Sequence, residues 1–357
     1  MKEIKIGILG FGTIGSGVKK VLEQKNIHNV KIEKIFDRPI NKEKIGEAFT
    51  DSAYDIVRNP DIDVVIETMG GLNYPAELIR VALENKKHVI TANKEVVSVY
   101  LKEFLELSKK NNVSFLFEAS SGGGIPLIYP LIENSKANDI NAIYGILNGT
   151  TNYIITRLLE GMNFNDALKM AQEKGFAEAD PTNDLEGLDM VRKIAILSDI
   201  CYDTFINIDD IYHYGIRNLT KEFIDKAKED NYIVKFVAKS EKKEKLNIAI
   251  EPVLVKKESL LASASDEYNI VIVEGKTNGR LAFYGKGAGS LPTATAIVTD
   301  IIKVVEGSYK FNQRLEKVFE IENDKSGLYL VETIKGEYKY TNELDNNIKF
   351  YAKVLEV

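Results

Sequence analysis

The amino-acid sequence predicts an α/β protein in which a doubly wound parallel sheet is joined to an α+β domain with a mixed sheet. A β-rich run at residues 4–9 leads into the glycine-rich segment G-F-G-T-I-G at residues 10–15, and a helical apolar pattern follows. Strand and helix patterns then alternate to about residue 118, which is typical of a parallel sheet. Closely spaced β-rich runs at residues 233–284 predict the mixed sheet.

The glycine-rich segment has the spacing of a dinucleotide-binding turn of the Rossmann type. Gly10 permits the tight turn, Gly12 lets the pyrophosphate approach the backbone, and Gly15 lets the helix pack closely on the strand. Thr13 and Ile14 lie at the start of that helix, whose N-terminus attracts the anionic pyrophosphate. Because a GxGxxG pattern alone is weakly specific, the strand before it and the helix after it support the prediction.

Asp37 follows the second predicted strand, at residues 31–36, about 20 residues beyond the glycines. A carboxylate there accepts a hydrogen bond from the ribose 2′-hydroxyl of NAD and repels the 2′-phosphate of NADP. Arg38 comes next and favours the 2′-phosphate instead. The sequence therefore predicts that both NAD and NADP are used, with NAD preferred.

Lys94 comes directly after a predicted buried strand at residues 88–92. The carboxyl ends of parallel strands meet at one edge of the sheet, where ligands of this fold bind, so Lys94 is a candidate to contact the substrate and the nicotinamide. A solvent-exposed lysine at a helix start fits the pattern equally well. The glycine run that follows Glu118 is too irregular for a second dinucleotide turn, and a flexible hinge is its simplest interpretation.

Residues 171–193 combine six acidic with three basic side chains and still keep a helical apolar pattern. Gly175 is expected to end one helix. After an Asp-Pro turn, Thr182 or Asn183 is expected to cap a second helix that continues beyond residue 193. This segment therefore predicts a charged junction between a loop and a helix.

Four charged side chains are expected to meet at that junction. Asp189 and Lys193 are four residues apart and share a helix face, Asp184 lies in the first helical turn, and Glu178 lies in the loop before it. Three carboxylates around one ammonium suit a site that holds a zwitterionic substrate and delivers a proton. The alternative is a surface helix with an i,i+4 salt bridge, which is the commoner case for any single pair.

The spacing within residues 171–193 resembles the signature of homoserine dehydrogenases at every specified position. The matching residues are Ala171, Gly175, Phe176, Asp180, Pro181, Asp184, Gly187, Asp189 and Lys193. The resemblance continues in order from residue 4 to about residue 310. It implies reversible hydride transfer between NAD or NADP and the C4 carbonyl of L-aspartate 4-semialdehyde, which gives L-homoserine for threonine, methionine and isoleucine biosynthesis.

The resemblance also implies roles for individual residues. A matching Ala-Asn-Lys in the family makes Lys94 a catalytic residue, and the implied catalytic set is Lys193, Lys94, Glu178 and Asp189. The implied substrate contacts are Gly175, Phe176, Glu178, Asp184, Asp189 and Lys193. A second glycine-rich turn at residues 285–289 precedes a helix, so Gly287 and Gly289 join Lys94 and the residues of the first turn as expected cofactor contacts.

In the family, the segment after Glu118 binds a monovalent cation, here expected to be Na⁺. The implied ligands are the backbone oxygens of Ser121, Gly123 and Ile125 together with Glu118. Valine is common at the position of Ser121, and a backbone ligand tolerates that change. The mixed sheet is expected to have four strands within residues 233–284, with a solvated charged hairpin loop at residues 239–245. One face of this sheet is expected to meet a second copy, so the resemblance implies a homodimer.

The expected organisation has two domains and a tail. The boundaries are 1–130 for an NAD(P)-binding domain joined by about 285–310, 131–284 for a catalytic and dimerisation domain, and 311–357 for a short C-terminal tail. The tail is too short for a regulatory ACT domain, so we expect little threonine inhibition through it and intact catalysis, with lower stability, after its deletion. Without an N-terminal kinase-like extension, a monofunctional enzyme lacking an aspartokinase domain is expected.

Composition excludes several classes of protein. A formal net charge of -6 over 357 residues leaves no basic surplus for nucleic-acid binding. The single cysteine, Cys201, rules out an internal disulfide, and no apolar run approaches the roughly 20 residues of a membrane span. Since no signal peptide is recognisable, we expect a cytoplasmic protein without membrane or nucleic-acid partners. His28, His88 and His213 lack the spacing of metal ligands.

Two other functions stay open at the level of sequence. Another amino-acid dehydrogenase of the same fold, such as aspartate dehydrogenase, would have no reason for the spacing at residues 180–193. A catalytically silent NAD-sensing regulator would be expected to lack part of the set of acids and lysines, and that set is complete here.

Overall fold

The chain divides into two compact units in a computed structural model that describes residues 3–25, 27, 29–307, 311 and 314–357. Unit 1 consists of Met1–Glu133, Tyr202–Phe205 and Ala288–Lys317. Unit 2 consists of Asn134–Cys201, Ile206–Gly287 and Val318–Val357. His28 lies outside the described residues.

Unit 1 contains a parallel six-stranded sheet with the order β3-β2-β1-β4-β5-β6. The strands are β1 (Ile4–Leu9), β2 (Val30–Phe36), β3 (Phe49–Thr50), β4 (Val64–Glu67), β5 (His88–Thr91) and β6 (Phe115–Leu116). The strand order reverses between β1 and β4, as in a doubly wound nucleotide-binding sheet. The predicted fold of this part is therefore confirmed. Its central strands are almost uninterrupted apolar runs because helices cover both faces of such a sheet.

The helices of unit 1 are α1 (Thr13–Lys25), α2 (Lys42–Ile45), α3 (Tyr54–Val57), α4 (Asn73–Glu84), α5 (Lys94–Asn111), α6 (Ile128–Ala137, which continues into unit 2) and α12 (Ser290–Val305). The late helix α12 packs on α1, where the Ser290 hydroxyl donates to the Thr13 carbonyl at 2.7 Å. The chain thus returns to unit 1 after residue 287. Within the described ranges, no helix is both long and apolar enough to cross a membrane.

Unit 2 contains a mixed ten-stranded sheet rather than the four strands expected. Its main path is β12-β11-β7-β9-β10-β16-β14-β15, and β8 and β13 also pair with β10. The strands are β7 (Ile140–Ile146), β8 (Tyr212–His213), β9 (Tyr232–Lys242), β10 (Leu246–Lys256), β11 (Tyr268–Gly275), β12 (Gly279–Lys286), β13 (Ile321–Glu322), β14 (Tyr329–Thr333), β15 (Tyr338–Thr341) and β16 (Ile348–Val354).

The helices of unit 2 precede most of these strands in the chain. They are α7 (Gly149–Leu159), α8 (Phe164–Glu173), α9 (Thr182–Leu185), α10 (Leu188–Tyr202) and α11 (Lys221–Glu229). The hydroxyl of Ser198, on α10, donates to the hydroxyl of Ser240, on β9, at 2.8 Å. Helix α10 therefore lies against one face of the sheet.

The expected charged hairpin at residues 239–245 is wrong for its first half. Strand β9 continues to Lys242, and only residues 243–245 form the turn. Lys239 is 4% exposed and pairs with the equally buried Glu251 of β10 at 3.6 Å. Tyr351 and Lys353 of the C-terminal segment also interact with Glu251. The sequence shows the charge of these residues, but it does not show that distant segments bury them.

The C-terminal segment is part of the sheet of unit 2 and is not a separate tail. Strand β16 pairs in parallel with β10 and antiparallel with β14, and its Phe350 and Ala352 are fully buried. Residues 318–357 contain strands and no helix. Deleting this segment would expose the edge and core of unit 2, so the deletion is expected to lower stability, and intact catalysis after it stays a prediction.

Candidate functional site

A buried ion pair on α10 lies at the centre of the charged junction in unit 2. The Lys193 ammonium donates to the Asp189 carboxylate at 2.8 Å and to the Leu147 carbonyl at 2.7 Å. Lys193 is 8% exposed and Asp189 is 6% exposed. The pair is therefore not a surface salt bridge, and the ammonium has a fixed direction.

Asn148 connects this pair to the neighbouring acid Asp184. Its amide nitrogen donates to Asp184 at 2.7 Å and to Asp189 at 2.9 Å, and its amide oxygen accepts from the backbone of Thr151 at the start of α7. Burial, and then the charge of Asp189, raises the pKa of Asp184. The family resemblance implies that the segment at residues 148–152, after a predicted strand, lies near cofactor and substrate, but Asn148 itself was not among the expected site residues. Its signal was that position, at the carboxyl end of a strand and directly before a helix.

One helix was expected after residue 182, but the structure has two, α9 and α10. Gly187 has a φ of 84°, a backbone conformation that favours glycine, and it separates α9 from α10. Neither Thr182 nor Asn183 caps α9. The N-cap position is occupied by Pro181, and no side chain accepts a hydrogen bond there. The Asp180 carboxylate instead accepts hydrogen bonds from both the backbone and the hydroxyl of Thr182, at 3.1 Å and 2.6 Å.

Glu178 lies in the loop between α8 and α9 and is exposed. Gly175 follows α8, so the expected helix end is confirmed. The ring of Phe176 lies 5.1 Å from that of Tyr153, and its carbonyl accepts from the Thr150 hydroxyl at 2.6 Å. Phe176 thereby holds the base of the Glu178 loop against α7, the helix that Asn148 caps.

The glycine-rich turn in unit 1 joins β1 to α1, which begins at Thr13 and includes Ile14. A Cβ at Gly15 would lie 2.1 Å from the Gly10 carbonyl oxygen, so only glycine permits this close packing. The corresponding space at Gly12 is open, with no atom within 4 Å. This cradle fits the pyrophosphate of a dinucleotide, which needs room beside the backbone at the N-terminus of the helix.

Asp37 directly follows β2, beside this turn. Its carboxylate accepts from the Phe11 backbone at 2.5 Å and from the Arg38 backbone at 2.6 Å. The Arg38 side chain is exposed. The Lys44 ammonium lies 5.5 Å from the centre of the Phe11 ring. One acidic and two basic side chains therefore lie close to the place where the adenosine ribose of a dinucleotide binds in this fold.

Lys94 is the first residue of α5, at the carboxyl end of β5 in unit 1, and it is half-buried. Asn93 caps the helix, because its side-chain oxygen accepts from the backbones of Glu95 and Val96 at 3.1 Å and 3.3 Å. Lys94 is therefore not the fully solvated lysine of the alternative interpretation.

The Glu118 carboxylate is buried and accepts three backbone N–H groups, from Leu127 and Ile128 at 2.6 Å and 2.9 Å and from Tyr129 at 3.0 Å. Burial raises the pKa of Glu118. The other expected cation ligands, Ser121, Gly123 and Ile125, lie in the turn between Glu118 and α6. Among the described residues, no group of three His, Cys, Asp or Glu side chains is arranged to hold a metal ion.

The remaining expected cofactor contacts lie where the chain leaves unit 2. Gly287 is the last residue of that stretch of unit 2, and Gly289 directly precedes α12 in unit 1. The Asn269 amide fills the space beside Gly287, at 2.0 Å from where a Cβ would lie. The expected site residues are therefore divided between the units, with Lys94 in unit 1 and Lys193 in unit 2.

Sequence and structure comparisons agree on one family. A model described as "Homoserine dehydrogenase, NAD binding domain" matches residues 10–118, and one described as "Homoserine dehydrogenase" matches residues 126–302. The homoserine dehydrogenase of Bacillus subtilis is 39% identical over 319 residues, which are 86% of this chain and 74% of that protein. That of Neisseria gonorrhoeae is 38% identical over 318 residues, 85% of this chain and 73% of that protein.

Solved structures of homoserine dehydrogenases are also similar. The enzyme from Thiobacillus denitrificans matches with a TM-score of 0.87 and 34% identity, over 94% of this chain and 84% of that one. A hyperthermophilic archaeal enzyme in complex with NADPH matches with a TM-score of 0.76 and 25% identity, over 87% and 99% of the two chains. With two family models covering most of its length and relatives this similar, the chain belongs to the homoserine dehydrogenase family.

Proposed function

We propose that Asn148, Asp184, Asp189 and Lys193 bind the substrate and handle its proton in this homoserine dehydrogenase. The chain carries out the reaction of its family, the reversible NAD(P)-dependent interconversion of L-homoserine and L-aspartate 4-semialdehyde. The observation that supports the proposal most is the buried pair of Asp189 and Lys193. A buried ammonium in a fixed direction suits transfer of a proton to a developing alkoxide.

Lys193 is the proton donor when the aldehyde is reduced. The nicotinamide, when bound, supplies the hydride to the carbonyl carbon, so negative charge develops on the carbonyl oxygen. The Lys193 ammonium stabilises that charge and gives the oxygen its proton. Asp189 and the Leu147 carbonyl orient the ammonium. Lys94, half-buried at the carboxyl end of β5, is its partner in this role.

The acids bind the amino group of the substrate. Asp184 and Asp189 share a single amide donor, and Asp189 contributes to the raised pKa of Asp184. A substrate ammonium beside both carboxylates offsets this repulsion between like charges. Glu178 adds a third carboxylate from the loop, and Gly175 and Phe176 contact the substrate from the base of that loop.

Unit 1 is the NAD(P)-binding domain, and unit 2 is the catalytic and dimerisation domain. Gly10, Gly12, Thr13, Ile14 and Gly15 hold the pyrophosphate, with further cofactor contacts at Asp37, Arg38, Lys94, Gly287 and Gly289. The archaeal relative was solved with NADPH. We expect this chain to use both dinucleotides and to prefer NAD, because the Asp37 carboxylate lies beside the glycine-rich turn.

Three further assignments complete the proposal. Backbone oxygens of Ser121, Gly123 and Ile125 hold a monovalent cation, for which an all-oxygen set of ligands is suitable. Glu118 closes the same turn, although its carboxylate already accepts three N–H groups. The protein forms a homodimer and acts in the cytoplasm, and both of these stay predictions.

The decisive experiment is an assay of dinucleotide reduction by the purified protein. L-homoserine should support reduction of NAD and NADP, and L-aspartate should not. Omitting the amino acid, and the Lys193→Ala variant, serve as controls. Reduction that depends on L-aspartate would overturn the assigned substrate, while absence of activity with every amino acid would favour a silent regulator.

A further inference from the structure

A buried carboxylate, Glu67, connects the ends of two neighbouring strands in unit 1. Glu67 ends β4 and Thr91 ends β5, and the two residues are partners in the parallel ladder. Both are 0% exposed. The Thr91 hydroxyl donates to one carboxylate oxygen of Glu67 at 2.6 Å, and the other oxygen accepts from the backbones of Met69 and Gly70 at 2.8 Å and 3.4 Å.

The connection continues from Thr91 to the start of α5. The Thr91 hydroxyl oxygen accepts from the backbone of Asn93 at 2.9 Å. The Asn93 side-chain nitrogen donates to the Gly71 carbonyl at 2.8 Å, while its side-chain oxygen caps α5. The first residue of that helix is Lys94. A short series of hydrogen bonds therefore leads from the Glu67 carboxylate to the backbone beside Lys94.

The charged form of a carboxyl group is disfavoured by burial at this position. Burial raises the pKa of Glu67, which shows that its surroundings disfavour the charged form. An apolar side chain at the end of β4 would avoid that penalty, but it would leave the Met69 N–H and the Thr91 hydroxyl without this acceptor. The acid instead connects two segments, 69–71 and 93–94, that follow adjacent strands at the edge where ligands of this fold bind. This arrangement indicates that Glu67 fixes the positions of these two backbone segments.

We propose that Glu67 is a positioning residue for the dehydrogenase reaction, which acts through Thr91 and Asn93 to fix the backbone that carries Lys94. This inference rests on the proposed catalytic role of Lys94. A displacement of roughly 1 Å at a reacting group costs on the order of 100-fold in rate. Loosening the strand end should therefore lower kcat without any loss of a group that touches the substrate.

Glu67→Gln is the first test. Its amide oxygen still accepts from Met69 and Gly70, but its amide nitrogen cannot accept from the Thr91 hydroxyl. We expect kcat to fall roughly 10- to 100-fold, with a smaller change in NADH affinity as measured from the fluorescence of the nucleotide, because Lys94 is only one of several proposed cofactor contacts. Asp199→Asn is the matched control, because Asp199 is another fully buried acid and lies in unit 2.

A double-mutant cycle separates positioning from a merely structural effect. If Glu67 acts through Lys94, Glu67→Gln added to Lys94→Ala should lower kcat no further than Lys94→Ala alone. Thr91→Val, which removes the hydroxyl, should show the same pattern, and Thr91→Ser should recover most of the loss. This second pair of variants decides the question if Glu67→Gln fails to fold.

The outcomes distinguish the catalytic role of Lys94 from the positioning role of Glu67. Normal kcat in Lys94→Ala would remove the catalytic role of Lys94 and this inference with it. A low kcat in Lys94→Ala beside a normal kcat in Glu67→Gln and Thr91→Val would overturn the inference alone. Losses that multiply in the double variant would overturn it as well, because they would show that Glu67 acts independently of Lys94.

Discussion

The ammonium of Lys193 lies 2.8 Å from the carboxylate of Asp189, one helical turn before it on α10. Neither group has more than a tenth of its side chain exposed. The Lys193 ammonium is held in one orientation because it is shielded from water that would compete for its N–H groups. The amide of Asn148 then adds Asp184 to the same cluster.

The first prediction concerns Lys193. Lys193→Ala should lower kcat for homoserine oxidation by roughly 100-fold or more, because the group that exchanges a proton with the substrate oxygen is lost. Lys193→Arg should not restore turnover, since a guanidinium does not release its proton at working pH. Steady-state kinetics measure the loss, and nucleotide fluorescence checks that dinucleotide binding survives. Near-normal turnover in Lys193→Ala would rule out the assigned role.

The second prediction concerns Asn148. Asn148→Ala removes the donor shared by Asp184 and Asp189, and hydrogen bonds to charged groups contribute about 1.5–3 kcal/mol. We therefore expect kcat/KM for L-homoserine to fall about 10- to 100-fold. The exposed Asn183 provides the matched control, Asn183→Ala, which should leave kcat/KM unchanged. Equal kcat/KM values in the two variants would show that Asn148 does not organise the acids.

The third prediction concerns the choice of dinucleotide. Asp37→Asn keeps an oxygen for the Phe11 N–H and removes the negative charge, so NADP use should improve and NAD use should weaken. Arg38→Ala should reduce NADP use selectively. The ratio of kcat/KM values for the two dinucleotides is the measurement. An unchanged ratio in Asp37→Asn would mean that this carboxylate does not face the ribose.

The fourth prediction concerns the buried pair of Lys239 and Glu251. Glu251→Ala leaves the Lys239 ammonium buried without its carboxylate, which should lower the free energy of unfolding by about 3–5 kcal/mol. Glu244→Ala, in the exposed turn beyond β9, should change it by less than about 0.5 kcal/mol. Urea denaturation measures both. A similarly small effect of the two substitutions would mean that the pair is solvated.

The fifth prediction concerns pH. Burial raises the pKa of Asp199 well above its usual value of 3.8. The folded protein therefore binds this proton more tightly than the unfolded chain, so the free energy of unfolding falls as pH rises from about 3.8 to the raised pKa. The side-chain amide of the variant Asp199→Asn does not ionise. The stability of this variant relative to the natural chain should increase as the pH rises above about 3.8, and a constant difference would contradict the prediction.

Local spacing explains what could be predicted for the site and for the nucleotide-binding sheet. Residues i and i+4 share a helix face wherever the helix lies, so Asp189 and Lys193 were expected together. The identity of Asn148 as their shared partner required the contact of two segments about forty positions apart, as the hydrogen bonds to Asp184 and Asp189 join residues 36 and 41 apart. No local pattern specifies such a contact.

The sequence by itself determined the glycine-rich turn, the parallel sheet, the charged junction and the family, because each depends on residue types at short, fixed spacings. Only the tertiary structure decided that Lys239 is buried and that residues 318–357 belong to the sheet of unit 2. Only it revealed that Glu67 is connected to Asn93 through Thr91. The physical reason is that burial and pairing between distant strands depend on which segments pack together, and a charged side chain looks the same in sequence whether water or protein surrounds it.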